Sequence, residues 1–389
     1  MKVSFAVVAR ILSAAVQALL LLIVAREAEP SQLANLIALL AAMGFAATAI
    51  ELGVARELTV VAAKGNGTEF SYLSRIHAAG CMAFVLLVSI VSFAIELGFL
   101  PAILAIYTAA ERRISALMGA TVAIGRLNTS SAVLIIGRLV LLTVYFSGLV
   151  VFPENPIGVY AGATAISSVM LATAFHLYSR PASAVSAERR TLRAILGVSL
   201  HFWAATMLGQ LRSLDVVLVT ALFPSSSAAL YALPSRALQP MRLIGTSIAG
   251  TAFPIAASGD RARTSQLLRI SALTSVVAAL ALGGLAPFLP SILTALIGAE
   301  YQSAAMAFVL MAIGAAINIP GAVLSSVLQA HGFQRAITLL GVLLTAFQFV
   351  SIVILAAAYG INGAAAAVPA TFAIQLIVTT LIYRRLPRG

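Results

Sequence analysis

Charge is what this sequence has least of. Asp, Glu, Lys and Arg make up 9% of its 389 residues, where soluble chains carry about 25%. A surface this poor in charge has to be covered by lipid, so a soluble globular domain is excluded. Cysteine occurs once, at Cys81 inside an apolar stretch, which leaves no disulfide framework. No phosphate-binding glycine loop followed by Lys-Ser/Thr is present, so ATP hydrolysis is not encoded here. His77, His176, His201 and His331 are scattered without metal-ligand spacing and read as core or interface residues. No gap between apolar stretches is long enough for a separate soluble domain. The stretches are continuously apolar instead of alternating, which excludes an ordinary β-barrel.

What the chain does have is hydrocarbon. Apolar residues make up 61% of it and its mean hydropathy is +1.05. A spanning helix needs about 20 such residues, and the sequence divides into helices over 3–25, 31–54, 76–97, 99–124, 128–151, 157–179, 195–222, 226–254, 266–287, 303–329, 334–358 and 362–383. The expected fold is therefore an all-α polytopic membrane protein of about 12 transmembrane helices. The first stretch is too long for a signal-peptide core and lacks a small-residue cleavage site, so it reads as the first span. Turn formers mark several gaps, among them Glu29-Pro30-Ser31, Pro224-Ser225-Ser226-Ser227 and Gly360-Ile361-Asn362-Gly363.

The gaps between spans alternate in charge. One set, with the C-terminus, holds sixteen Lys and Arg residues, from Lys2 and Arg56 to Arg388; the other holds only Arg26, beside Glu27, Glu29, Glu96, Glu154 and Glu300. By the positive-inside rule the first set is cytoplasmic, which places both termini there and requires an even number of spans. The rule also accounts for the sequence pI of about 10.7, and no nucleic-acid partner is implied.

An internal repeat appears at an offset of half the chain, 194 residues. Pro30-Ser31 aligns with Pro224-Ser225, and Ala62-Ala63-Lys64-Gly65-Asn66 with Ala256-Ala257-Ser258-Gly259-Asp260. Two six-helix halves follow, 1–180 and 194–389, joined by a basic cytoplasmic linker at 181–193 and surrounding a central cavity. Halves of six spans share one membrane orientation, which is one of the two layouts of secondary transporters.

A smaller set of charges lies inside the spans: Arg10, Arg112, Arg113, Arg138, Arg212, Arg236 and Arg242 against Glu51, Glu111 and Asp215. An ionisable group at that depth costs a few kcal/mol unless it faces a partner or a wet cavity. Arg10 and Glu51 fall at similar depth and are expected to pair. Glu111 is expected to neutralise one arginine while another looks into a cavity, with Arg113 and Arg138 at similar depth. Arg212 and Asp215 are three apart on one helix and predict a triad with Arg236, while Pro234 and Pro240 interrupt the eighth span. Seven cations against three acids leave a cationic interior suited to an anionic cargo, and guanidinium is shaped for phosphate oxygens.

Several of these stretches resemble the polysaccharide and O-antigen flippases, members of the superfamily that also holds multidrug and toxic-compound exporters and the peptidoglycan lipid flippase. The resemblance rests on Leu21–Arg26, Glu29-Pro30 and Leu36–Gly53 with Arg56. It rests also on Leu214-Asp215-Val216-Val217-Leu218-Val219, Ala229-Leu230-Tyr231-Ala232-Leu233 and Phe253-Pro254. It departs from the family pattern at Leu33-Ala34, where a glycine usually precedes an aromatic residue. The resemblance implies a short oligosaccharide on a polyprenyl pyrophosphate, moved from the cytoplasmic to the periplasmic leaflet of a bacterial inner membrane by alternating access. Partners would be this lipid-linked oligosaccharide, membrane lipids, a glycan polymerase and other envelope-assembly proteins.

Two alternatives stay open. A cation-coupled multidrug exporter of the same architecture would favour an acid in the first span, and 3–25 has none. A membrane glycan polymerase or enzyme would favour long periplasmic loops with acids or histidines, and the longest, around Ala286 to Gln302, offers only Glu300. The expectation is a non-enzymatic transporter with no cofactor or metal. Asp215, Glu51 and Glu111 are the acids available for coupling to a proton or sodium gradient.

Overall fold

Apolar runs of this length become helices because backbone polar groups in hydrocarbon must be satisfied within their own segment. The computed structural model describes residues 2–179 and 192–385, and these are helical almost throughout, with no extended strand among them. The expected linker, 181–193, lies outside the described residues up to residue 191.

The helices run in chain order as α1 (Lys2–Glu27), α2 (Pro30–Glu51), α3 (Val54–Ala63), α4 (Gly67–Ala94), α5 (Leu100–Ala123), α6 (Leu127–Val151) and α7 (Pro156–Tyr178). They continue with α8 (Leu192–Arg212), α9 (Asp215–Leu222), α10 (Ser225–Ala237), α11 (Gln239–Ala257), α12 (Arg261–Leu285), α13 (Leu289–Ile297), α14 (Ala305–Ala330) and α15 (Gln334–Arg384). Seven of the resulting stretches are long and apolar enough to cross a membrane by length and composition alone. One of them, α15, is two helices, because Gly360 leaves helical geometry at φ 62°, ψ −146°. The rest of the twelve are α1, α5 with its three mid-helix charges, and two broken spans, α8–α9 and α10–α11.

Four local features depart from the sequence expectation. Residues 55–75 were expected as a loop. Instead Val54, Leu58, Val61 and Ala62 repeat at helical spacing and are buried, which makes α3 a short amphipathic helix, and α4 starts at Gly67. The seventh span breaks at Ser213-Leu214, where Ser213 N bonds back to Gln210 O and Leu214 N to Leu211 O in a tightened last turn. The eighth breaks at Leu238, just before Gln239-Pro240. The expected long loop at Ala286 to Gln302 is filled by α13 and flanking 3-10 turns, with Leu293, Ile297 and Tyr301 buried.

Packing divides the chain into two compact units: Met1–Val16 with Ala38–Leu214 (unit 1), and Gln17–Ile37 with Asp215–Gly389 (unit 2). Unit 1 is built on Phe70, Leu73, Leu117, Leu134 and Phe175, drawn from α4, α5, α6 and α7. Where α2, α4 and α5 meet, the contact is made by Met43, Ala47, Phe84, Ala105 and Ala109. Unit 2 uses the same small-residue packing, with Ala252 and Ala256 against Val323 and Val327, as expected where close approach replaces the hydrophobic effect between helices.

The repeat has a structural counterpart at two corresponding turns. Gly65 takes φ 70° and Gly259 takes φ 76°. The next residue then caps a helix in both cases: Asn66 accepts from Glu69 N before α4, and Asp260 accepts from Arg263 N before α12.

Candidate functional site

The three charges in the middle of α5 set the polar interior of unit 1. Consecutive helical residues point about 100° apart, so Glu111, Arg112 and Arg113 reach different neighbours. Glu111 accepts from Ser168 Oγ at 3.0 Å and lies 3.5 Å from Arg138 Nη2. Arg138 also donates to Ser13 Oγ at 2.7 Å. Arg113 donates to the carbonyl of Ser74 at 2.9 Å and to its hydroxyl, and its Nη2 stands 3.5 Å from His176 Nδ1. Arg112 donates to Gly44 O at 2.9 Å and makes no direct ion pair among the described residues.

Glu51 has a partner that the sequence did not point to. Its Oε1 lies 3.1 Å from Nε2 of His77, a buried residue that the sequence read only as core or interface. The Arg10 side chain lies outside the described residues. Cys81 Sγ, one helical turn beyond His77 on α4, stands 3.7 Å from the other ring nitrogen. A histidine held on both nitrogens, with one cysteine and one carboxylate, is not a metal centre, and no group of metal-competent side chains occurs among the described residues.

Two cavities adjoin this centre, and Glu51 and Arg112 line both. The larger, about 390 Å3, is mostly apolar and lies between α2 and α4, with His77 and Cys81 at its polar end. The smaller, about 200 Å3, is lined by Arg56, Thr59, Ser115, Trp203 and Thr206 as well. Trp203 is fixed in its wall, Nε1 donating to Thr48 O at 3.1 Å and Ala49 O at 3.2 Å. Arg56, counted in the sequence only as an orienting charge, therefore belongs to a polar cavity.

Unit 2 has its own buried acid. Asp215 opens α9 and is 4% exposed. Its Oδ1 accepts from Val216 N at 2.7 Å, and its Oδ2 accepts from Tyr231 OH at 2.9 Å and Gln348 Nε2 at 3.3 Å. Arg242 and Arg236 lie within electrostatic reach of this carboxylate, and Nε of Arg242 is buried with no hydrogen-bond partner. The expected triad is corrected in one respect. Its i, i+3 geometry required one continuous helix through 212–215, and the break at Ser213-Leu214 removes that premise. Arg212 ends α8 in unit 1, while Asp215 starts α9 in unit 2.

Known proteins bear on the architecture. No protein-family model matches the sequence, and no curated protein matches it significantly. Solved structures do match along nearly the whole chain. A MATE protein in complex with MaD5 aligns with a TM-score of 0.70 at 16% identity, over 98% of this chain and 94% of its own. An inward-facing MATE family multidrug resistance transporter of the MOP superfamily gives 0.63 at 14%, over 96% and 94%. The lipid II flippase MurJ, in an inward closed conformation, gives 0.65 at 14%, over 98% and 87%. The fold is shared with these transporters. At these identities the likeness carries the fold and not the cargo, because MATE multidrug transporters and MurJ match equally well.

Within this fold the three in-span arginines of α5 and α6 fall into two kinds. Arg113 and Arg138 are held by serine side chains, and Arg138 also by Glu111, so they join helices. Arg112 faces open space. His77, Ser74, Ser168 and Gln348 complete the polar centres and were not anticipated. Each contacts a charge 26 to 133 residues away in sequence, a separation at which sequence spacing carries no signal.

Proposed function

We propose that this chain is a flippase for an anionic polyprenyl-pyrophosphate-linked oligosaccharide. It moves that cargo from the cytoplasmic to the periplasmic leaflet of a bacterial inner membrane by alternating access, with both termini cytoplasmic. The observation that carries the reading is Arg112. Its guanidinium lies in the wall common to two cavities, tied to a backbone carbonyl instead of a carboxylate. The acid beside it, Glu51, is engaged by His77. Glu51 and Glu111 lie within electrostatic reach of Arg112, but neither forms a direct ion pair with it among the described residues. A cation at depth needs a close partner, and a phosphate oxygen is a fitting complement. Arg56 and the hydroxyls of Thr59, Ser115 and Thr206 extend the same chemistry. Transport in this reading needs no bound cofactor and draws on a proton or sodium gradient. A glycan polymerase and other envelope-assembly proteins would receive the product.

The test is transport by the full chain in proteoliposomes, with a polyprenyl-pyrophosphate-linked oligosaccharide supplied on one face. A hydrogen bond to a charged group contributes about 1.5–3 kcal/mol, which is about 10- to 150-fold in affinity. Arg112→Gln is expected to lower apparent affinity within that range while leaving insertion and yield intact. Unchanged transport by this variant would remove Arg112 from the cargo path.

The second reading, a cation-coupled multidrug exporter, is favoured by Asp215, a buried acid of the kind that carries a coupling ion. The same proteoliposomes separate the two. Gradient-driven efflux of ethidium with no movement of the lipid-linked oligosaccharide would establish the exporter.

A further inference from the structure

The segment that divides the two cavities of unit 1 is one chain thick. Around the α2–α3 corner, Leu52 and Val54 line the apolar cavity, while Gly53, Ala55 and Arg56 line the polar one. The apolar cavity opens at an exposed apolar face of α4. Ala79 and Ala83 on α4 line it and are exposed, and Leu86 and Ile90 continue that same helical face, 57% and 65% exposed. On a spanning helix such a face meets hydrocarbon. The polar cavity is different in kind, with two arginines and several hydroxyls against one carboxylate. We propose that unit 1 carries a split site for a polyprenyl diphosphate, the apolar cavity between α2 and α4 taking the isoprenoid chain and the polar cavity beside Trp203 taking the diphosphate, with Arg112 in the wall common to both.

The assignment rests on the proposed cargo and adds where its two parts are held. Volume fits the division of labour. About 390 Å3 is at the lower end of small-ligand sites, which run from about 300 to 1,000 Å3, and suits the isoprene units next to the diphosphate, the rest of the chain running along the exposed face of α4. About 200 Å3 with two guanidinium groups suits a compact dianion or trianion, since arginine pairs with phosphate oxygens in a fixed fork. A single-tailed diphosphate is the chemistry that uses both spaces at once.

The protein carries its own reporter in each cavity. Cys81 is its only cysteine and lines the apolar one, and Trp203 is its only tryptophan and lines the polar one. The experiment measures N-ethylmaleimide alkylation of Cys81 and Trp203 fluorescence in the full chain in nanodiscs, with farnesyl diphosphate, farnesol or inorganic pyrophosphate. Farnesyl diphosphate at about ten times its dissociation constant is expected to slow alkylation about tenfold, as occupancy dictates, and to change Trp203 emission. Farnesol should affect Cys81 alone and pyrophosphate Trp203 alone. Ala83→Leu, which fills the mouth of the apolar cavity, should lose Cys81 protection by farnesyl diphosphate and keep the Trp203 response to pyrophosphate, which also shows that the variant is folded. The split site is overturned by a farnesyl diphosphate response at Trp203 with no protection of Cys81, by protection from pyrophosphate alone, or by equal protection from two-tailed phosphatidic acid. Transport of the lipid-linked cargo with Cys81 unprotected would keep the proposed function and refute the split site. Protection without transport would do the reverse.

Discussion

Gly53→Ala should be among the most damaging single-methyl changes in unit 1. Gly53 adopts φ 75°, and an added Cβ would stand 2.3 Å from the carbonyl oxygen of Ser199, 3.0 Å from its carbon and 3.2 Å from Trp203 N. These are backbone atoms and cannot rotate away as a side chain can. The left-handed conformation costs an alanine about 1–2 kcal/mol, and forcing a methyl group into packed structure costs about 1–3 kcal/mol more. The expected loss is therefore about 2–5 kcal/mol, on those two terms together. Gly125 supplies the control in the same unit, because it takes φ 81° with nothing within 4 Å of the built Cβ. Gly125→Ala should show the conformational cost alone, about 1–2 kcal/mol. Both variants are compared by denaturant unfolding in detergent, with Trp203 emission as a local probe. The clash pushes α8 from the α2–α3 corner, so the Trp203 bonds to Thr48 O and Ala49 O lengthen and emission shifts in Gly53→Ala only. Equal stability losses in the two variants with unchanged emission would refute the close approach.

Two further changes test the other polar centres. Arg138→Leu takes the ion pair from Glu111, which keeps its bond from Ser168, and should destabilise unit 1 by about 1.5–3 kcal/mol, the range for a hydrogen bond to a charged group. The double variant Arg138→Met/Glu111→Met should recover most of that loss, and failure to recover would show that the pair is not what holds α5 to α6. Tyr231→Phe deletes one of the bonds to Asp215 and should cost about 1–3 kcal/mol, measured by thermal unfolding. Asp215→Asn should abolish the gradient-dependent part of transport, and full retention of gradient dependence would assign coupling to another acid.

The sequence was most readable where the physics is local. Span length, charge alternation and the three mid-helix charges of α5 follow from counting residues, and the helix bounds agree to within a few positions for most spans. The α3 helix was missed for a definite reason. A search for 20-residue apolar runs passes over a ten-residue amphipathic stripe, although Val54, Leu58, Val61 and Ala62 carry the helical period in plain view. The two span breaks differ in legibility. Pro240 marks the one at Leu238, whereas Leu211-Arg212-Ser213-Leu214-Asp215 contains no glycine or proline. There the chain turns because Ser213 satisfies Gln210 O through both its amide and its hydroxyl, the latter at 2.6 Å. Partner choice was least legible. Depth matching offered Arg10, whose side chain lies outside the described residues, as a partner for Glu51. It could not point to His77, because depth fixes only one coordinate and rotation about the helix axis brings Glu51 to it. The same limit hid the role of Arg56, since a charge at a cytoplasmic-type turn satisfies the orientation rule whether or not it also lines a cavity.

The repeat and the polar groups together show that the two halves of the sequence are not interchangeable. The register of 194 residues aligns 30–66 with 224–260, and along it the turn device is kept, Gly65-Asn66 matching Gly259-Asp260. The charged chemistry is not kept. Glu51 corresponds to Gly245, while Tyr231 and Arg242 correspond to Ile37 and Thr48. A turn that needs a left-handed residue followed by a cap tolerates few alternatives. A polar side chain inside a span is costly and persists only where it has a partner or a task. Each half of the sequence has therefore acquired polar groups of its own around a shared turn. The first half places Arg112, bonded to a backbone carbonyl, in the wall of two cavities, and the second buries Asp215 between a tyrosine and a glutamine. In the proposed function, which needs one site for an anion and one for a coupling ion, Arg112 and Asp215 are the groups of opposite sign to test.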